Sequence, residues 1–278
     1  MYNGMLTGIT QRIGQIEGVA SSSRVTVKLP IGLSYEWVKL ILTNITIAQC
    51  TNIAVRINGQ TIQEYRSGTE MELCRSEEDF QYTTTAGYLH FDFRRLGSTN
   101  IVDRDSTLIR TGFPNKPDSG LADVSTLEIS FDLASGLTNP AISAYAAMID
   151  PSSLGLVRYV RGLSYTPAGA GAYEVSDIPR AMLIERIGFN MASGVFTELV
   201  AKVNGNIVME GPLAIHNQDQ NNGVRVSQSN WFFMEPDPKG DGRDWIDVRS
   251  ASDFRLIMTV SSAANIPVVL NQLGPVGR

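Results

Sequence analysis

Apolar and polar residues alternate with a period of two along much of the chain: Val25, Val27 and Leu29; Val38, Leu40 and Leu42; Leu127, Ile129, Phe131 and Leu133; Leu256, Met258 and Val260. Successive side chains of a strand point to opposite faces, so this pattern buries one face of a sheet and wets the other. It predicts antiparallel strands, roughly seven or eight short ones in each half, enough for two packed sheets per half. Helix signals are few. Residues 69–80 carry early acidic residues and the Met71, Leu73, Cys74 spacing of a short helix. Residues 157–163 admit another. Ile9, Ile13 and Ile16, with Arg12 between them, have the spacing of a short amphipathic arm or of an ordered terminal extension.

One segment occurs twice. Val55-Arg56-Ile57-Asn58-Gly59-Gln60-Thr61-Ile62 returns as Ala201-Lys202-Val203-Asn204-Gly205-Asn206-Ile207-Val208, with the Asn-Gly pairs 146 residues apart. A lone Asn-Gly between strands marks an ordinary hairpin; two in matching contexts point to a duplicated domain. The order of segments is kept on both sides. Upstream, Pro30 and Glu36 correspond to Pro179 and Glu185, both at an offset of 149, so one connection changes length by three residues. Loops tolerate such changes and strands do not. Downstream, Tyr88-Leu89-His90-Phe91 matches Asn230-Trp231-Phe232-Phe233, and Leu127-Glu128-Ile129-Ser130 matches Phe254-Arg255-Leu256-Ile257. Each copy closes on a short apolar segment, residues 141–149 and 266–273.

The chain therefore divides into an N-terminal arm (1–20), a first sandwich (21–150), a linker (151–171) and a second sandwich (172–278). The linker carries Thr166-Pro167-Ala168-Gly169-Ala170-Gly171, whose proline and glycines break regular structure. The fold class is all-β, two tandem sandwiches with few short helices.

Composition agrees and narrows the function. With 278 residues, 43% hydrophobic and 18% charged, the chain has material for two ordinary cores. A net charge of −5 offers no basic face for nucleic acid. No apolar run approaches the roughly 20 residues of a membrane span, and residues 1–20 lack the features of a signal peptide, so use without secretion is expected. Cys50 and Cys74 match no pairing motif and read as free thiols of a reducing compartment.

Catalytic chemistry finds little support. A cupin-type metal enzyme needs two or three histidines around one ion; this chain has only His90 and His216, one in each half. His90 alternates with Leu89 and Phe91 and reads as a wet strand residue; His216 stands in a polar loop. Neither neighbours a Gly-x-Ser-x-Gly elbow, and Gly169-Ala170-Gly171 precedes a strand, which removes the dinucleotide reading. No catalytic or cofactor-binding residue is assigned. Glu77-Glu78-Asp79 reads as a solvated helix face. Glu235, Asp237, Asp241 and Asp244 stand on a turn-rich loop whose oxygens suit a calcium ion, against the plainer reading of a charged surface loop.

Lys28-Leu29-Pro30-Ile31-Gly32 with Tyr35-Glu36, and the hairpin Asn58-Gly59-Gln60-Thr61-Ile62-Gln63-Glu64-Tyr65, resemble the first jelly roll of corticovirus major capsid proteins, from tailless, membrane-containing bacteriophages. Tyr173-Glu174-Val175-Ser176-Asp177-Ile178-Pro179-Arg180 and Val203-Asn204-Gly205-Asn206-Ile207-Val208-Met209-Glu210-Gly211 resemble their second. The likeness is specific around residues 24–65 and 173–211; the loops within 66–121 and after Glu235 depart from it. It implies a double jelly roll and a structural virion protein, not an enzyme. Its implied partners are itself, as a homotrimeric pseudo-hexamer, and neighbouring capsomers of an icosahedral shell. Vertex (penton) proteins, minor capsid or membrane proteins and a lipid membrane on the inner side complete them, with no direct nucleic-acid contact. The implied place is the virion, assembled in the host cytoplasm. Under this resemblance Ile9, Arg12, Ile13 and Ile16 become the contact with membrane or neighbouring capsomers. The competing class is a carbohydrate-binding lectin or adhesin, which needs aromatics such as Tyr88, Trp231 and Trp245 on wet faces.

Overall fold

The computed structural model describes residues 8–79, 82, 85–96, 98–113, 123–191, 196–221, 223–236 and 245–276. The first copy of the repeat runs through β1 (Ile9–Ile13), β2 (Ile16–Glu17), β3 (Arg24–Leu29), β4 (Ser34–Thr43), β5 (Cys50–Ile57), β6 (Gln60–Ser67), α1 (Gly68–Glu78), β7 (Tyr88–Asp92), α2 (Ile101–Arg104), β8 (Ile109–Arg110), β9 (Leu127–Leu133) and β10 (Ala141–Ile149). The second runs through β11 (Leu156–Tyr165), β12 (Gly171–Val175), β13 (Leu183–Asn190), β14 (Phe196–Val203), β15 (Asn206–Pro212), α3 (Leu213–Gln220), β16 (Trp231–Met234), β17 (Ile246–Asp247), β18 (Phe254–Val260) and β19 (Ile266–Pro275).

In the first copy β1-β10-β4-β7, with β8 at the end of β4, faces β2-β3-β9-β5-β6. In the second, β11-β19-β13-β16, with β17 on β13, faces β12-β18-β14-β15. The alternation does what it predicts: β3 buries Val25, Val27 and Leu29 while Arg24 and Lys28 stay exposed, and β18 buries Phe254, Leu256, Met258 and Val260. One apolar core fills each sandwich.

The two hairpins are duplicates down to their hydrogen bonds. Asn58 and Gly59 have φ of 51° and 78°, Asn204 and Gly205 of 51° and 80°, the left-handed pair that a tight hairpin turn demands. Asn58 Oδ1 accepts from Ser125 N, Ser125 Oγ and Thr126 N; Asn204 Oδ1 accepts from Ser252 N, Ser252 Oγ and Asp253 N. Bulges recur too, at Val55/Arg56 and Ala201/Lys202, and where Glu36 and Glu185 are skipped in the ladders of β4 and β13.

The repeat is more complete than the sequence match. β1 pairs antiparallel with β10, the last strand of its copy, and β11 pairs likewise with β19. The expected arm and the expected linker are thus one element seen twice, the first strand of each sandwich, and the helix admitted over 157–163 is strand β11. Ile13 faces the core at 3% exposure, and Ile16 belongs to β2, so the isoleucines form no helical stripe. A helix of two turns is marginal in water, whereas β1 finds a ladder along β10. The match of β7 to β16 also shifts by one. Val38 pairs with Phe91 and its equivalent Ile187 with Met234, so Tyr88 corresponds to Trp231. A slip of one residue would exchange the faces of a strand; Leu89 and Phe232 are the buried equivalents.

Gln63 of β6 forms a parallel bridge to Val160 of β11, so a ten-stranded sheet runs through both sandwiches.

Candidate functional site: the seam between the sandwiches

The sandwiches meet where α1 lies against the outer face of the second. Ser67 Oγ caps the helix by accepting from Glu70 N at 3.2 Å, while the Glu70 carboxylate accepts from Arg66 N at 3.0 Å and Arg66 Nη1 at 2.7 Å. Donors that a helix start leaves open are thereby satisfied. Gly68 is required there, because a Cβ would stand 2.4 Å from Ile47 O. Arg66 also reaches across the seam, its Nη2 donating to Leu163 O and, at 2.9 Å, to Val268 O.

The helix ends in Glu77 and Glu78, both buried. Arg158 of β11 grips Glu78 through Nη1 at 3.0 Å and Nη2 at 2.6 Å, and its Nε lies 2.8 Å from Glu185. Arg95 Nε donates to Glu185 at 2.6 Å. Arg186 pairs with Glu77 and lies 3.5 Å from Glu78, and Arg225 lies 3.0 Å from Glu235. Four carboxylates thus face four guanidinium groups, all buried. Cys74, Val160, Trp231, Phe233 and Val269 form an apolar cluster beside them. Buried ions are tolerable only when paired, and here the pairing spans both sandwiches.

Burial pushes the carboxyls of Glu78 and Glu185 up, but Arg158, with Arg186 beside Glu78 and Arg95 beside Glu185, outweighs it and holds both below the usual range. At Glu235 burial outweighs Arg225 and pushes the carboxyl up to about 8. Burial likewise raises the thiols of Cys50 and Cys74 to about 12; both are free.

Several expected roles change. Glu77 and Glu78 are a buried anchor, not a solvated face. Glu235 points into the seam beside Arg225, so it is unavailable to a calcium loop; Asp237, Asp241 and Asp244 lie outside the described residues. His90 is buried, edge-on to Trp37 at 5.6 Å, and burial with Arg75, Lys39 and Arg94 pushes it down to about 2. Asp92 lies 3.9 Å from His90 Nε2 but is already gripped by Arg94 at 3.0 and 2.8 Å, which leaves little charge to favour imidazolium. His216 stands on α3, and no structural element brings it to His90. Trp231 is buried against Phe233 at 5.7 Å and Arg95 covers Trp245 at 4.9 Å, so of the three aromatics expected on wet faces Tyr88 alone, 36% exposed, stands on one. The residues missed, Arg158, Glu185 and Arg186, had one signal: charges embedded in otherwise apolar strand runs, which demand a buried partner.

The second sandwich keeps open a place that the seam fills in the first. By strand register Gln63, His90, Phe91 and Asp92 correspond to Met209, Phe233, Met234 and Glu235. Around the first set, where Arg158 and Arg186 reach in, a cavity of only about 20 Å³ is left. Around the second lies a cleft of about 680 Å³.

Two tandem sandwiches locked by a buried ionic seam make a double jelly roll. The N-terminal domain of viral coat protein P2 matches residues 10–149, and the C-terminal domain of the same protein matches residues 157–276. The chain belongs to this viral coat protein family: it is a structural capsid protein, not an enzyme, and its place is the virion capsid. It is 20% identical over 210 residues to the major capsid protein P2 of Pseudoalteromonas phage PM2, covering 71% of this chain and 75% of that one. The crystal structure of the major capsid protein P2 from bacteriophage PM2 matches with a TM-score of 0.86 at 19% identity, over 98% of this chain and 99% of that one. The STIV MCP crystal structure matches at 0.65 with 9% identity, over 97% of each chain. A PBCV-1 virus capsid chain matches at 0.61 with 11% identity, over 98% and 95%. At such identities the likeness is one of fold.

Proposed function

We propose that this coat protein works as a homotrimer, in which three two-barrel chains close a ring of six similar barrels that tiles an icosahedral shell. The observation that supports it is the duplicated seam. Within one chain β6, α1 and β7 of the first sandwich lie against the outer sheet of the second. The second sandwich carries the same elements, β15, α3 and β16, with β15 at the sheet edge among the described residues. The first carries the same outer sheet, with β1 as its free edge. A contact between unlike patches repeats until the ring closes, and closed rings are the usual outcome. An uncovered edge strand is a standing invitation to association. Family resemblance supports the extension to an inner membrane and to vertex and minor capsid proteins.

Light scattering after gel filtration tests the trimer. A particle of three times 30.3 kDa that survives dilution is expected. A monomer at every concentration overturns the proposal.

A further inference from the structure

We propose that the open cleft of the second sandwich receives Lys39 from a second copy of this chain, docking the β15 and α3 edge onto the outer face of β1-β10-β4. The inference rests on the trimer reading and names the surfaces that meet.

The chain supplies its own precedent. The cleft's duplicate in the first sandwich is filled by Arg158 and Arg186, which rise from the outer sheet of the second. Arg186 on β13 corresponds to Trp37 on β4, because Ile187 corresponds to Val38. Lys39 folds its Nζ over the Trp37 ring, 4.7 Å from the centroid. An ammonium of the first sandwich is thus parked on the residue equivalent to Arg186. Arg12 lies in the same cross-strand row, opposite Tyr145, which is opposite Lys39. The face offered to the next copy is therefore basic.

The cleft asks for such a group. Gln220 is buried, its Nε2 donates to Phe233 O, and its Oε1 has no hydrogen-bond partner among the described residues. His216 Nε2 also has no hydrogen-bond partner among the described residues. Asp219 and Glu235 line the same space, and among the described residues no lysine or arginine does. Val208, which lines the cleft, is 49% exposed, whereas its equivalent Ile62 is 1% exposed; Ile207 on β15 and Ile215 on α3 are 53% and 55% exposed. Exposed apolar side chains beside a mixed apolar and acidic cleft at a sheet edge mark a contact surface.

Two measurements on the full chain decide it. Lys39→Glu and Val208→Asp, both at surface positions, should each move the dilution midpoint of the trimer upward at least tenfold, with circular dichroism unchanged. On the unaltered chain, carbodiimide coupling of mixed light and heavy isotope protein should join Lys39 to Asp219 between copies. A trimer whose midpoint ignores both substitutions, or whose inter-copy couplings omit Lys39, overturns the docking and leaves the trimer standing. A chain monomeric at all concentrations overturns both. A variant that does not fold leaves the coupling result to decide.

Discussion

Arg158 serves two carboxylates from opposite sides of the seam, Glu78 and Glu185. Arg158→Met would remove the partner they share, leaving Glu78 only Arg186 and Glu185 only Arg95 in a buried site, at a cost of about 3–5 kcal/mol. Urea unfolding reads this directly, and Arg249→Ala is the control: its pair with Asp247 is exposed and should cost no more than about 1 kcal/mol. Protons report on the same residues. Glu78 and Glu185 titrate lower in the folded chain than unfolded, so their contribution is whole above the ordinary carboxylate range and fades as pH falls below it. His90 goes from 6.5 unfolded to about 2 folded, so only the unfolded chain takes up its proton between those values. Stability then falls as pH drops from 6.5, by up to about 1.4 kcal/mol per pH unit. Glu235, raised to about 8, acts in the opposite sense, its contribution declining as pH climbs from the ordinary carboxylate range towards 8. His90→Gln should flatten the urea midpoint between pH 6.5 and 5; an unchanged slope would assign it to other groups.

Elements show which part of the sequence speaks for itself. The Asn-Gly hairpins were legible because a left-handed turn restricts residue choice locally, and α1 because its cap and its spacing lie within one short segment. Asn58→Ala and Asn204→Ala each remove the residue that tolerates positive φ and the acceptor of three hydrogen bonds. Each should cost about 1–3 kcal/mol, and thermal melting should show similar losses from the two. β1 and β11 were misread for one reason: residues spaced by four can share a strand face as well as a helix face, and only the ladder to the last strand of each copy selects between them. Ile13→Ala, which empties a core position on β1, should cost about 2–5 kcal/mol. A loss under about 0.5 kcal/mol would mean that β1 is frayed from its sheet.

At the scale of the whole molecule the seam was hidden because its members lie far apart in sequence: Glu78 and Arg158 by 80 residues, Glu77 and Arg186 by 109. Acidic residues at the end of a short helix look solvated until a second sandwich is laid upon them. The two cores are stitched by these pairs and by the sheet that crosses from β6 to β11, so they should unfold together. Differential scanning calorimetry is expected to give one transition for the full chain, and residues 8–150 alone should not fold, with Glu77, Glu78 and Cys74 left uncovered. Two resolved transitions would show the sandwiches to be independent.

So highly charged an interface says something about how it can form. Separate subunits meeting in solution would have to strip water from every ion before any pair closed, at several kcal/mol per ion, on top of the roughly 4–15 kcal/mol of lost translational and rotational freedom. A peptide tether removes most of the second cost, because it holds one sandwich near the other at an effective concentration of around the millimolar range or more. The ionic seam is therefore a contact suited to partners that are never apart. The exposed apolar side chains of Ile207, Val208 and Ile215 suit partners that must find each other at dilution. Fusing two barrels into one polypeptide would let half the joints of a ring be settled during synthesis, leaving the other half reversible enough for a shell to correct its own errors.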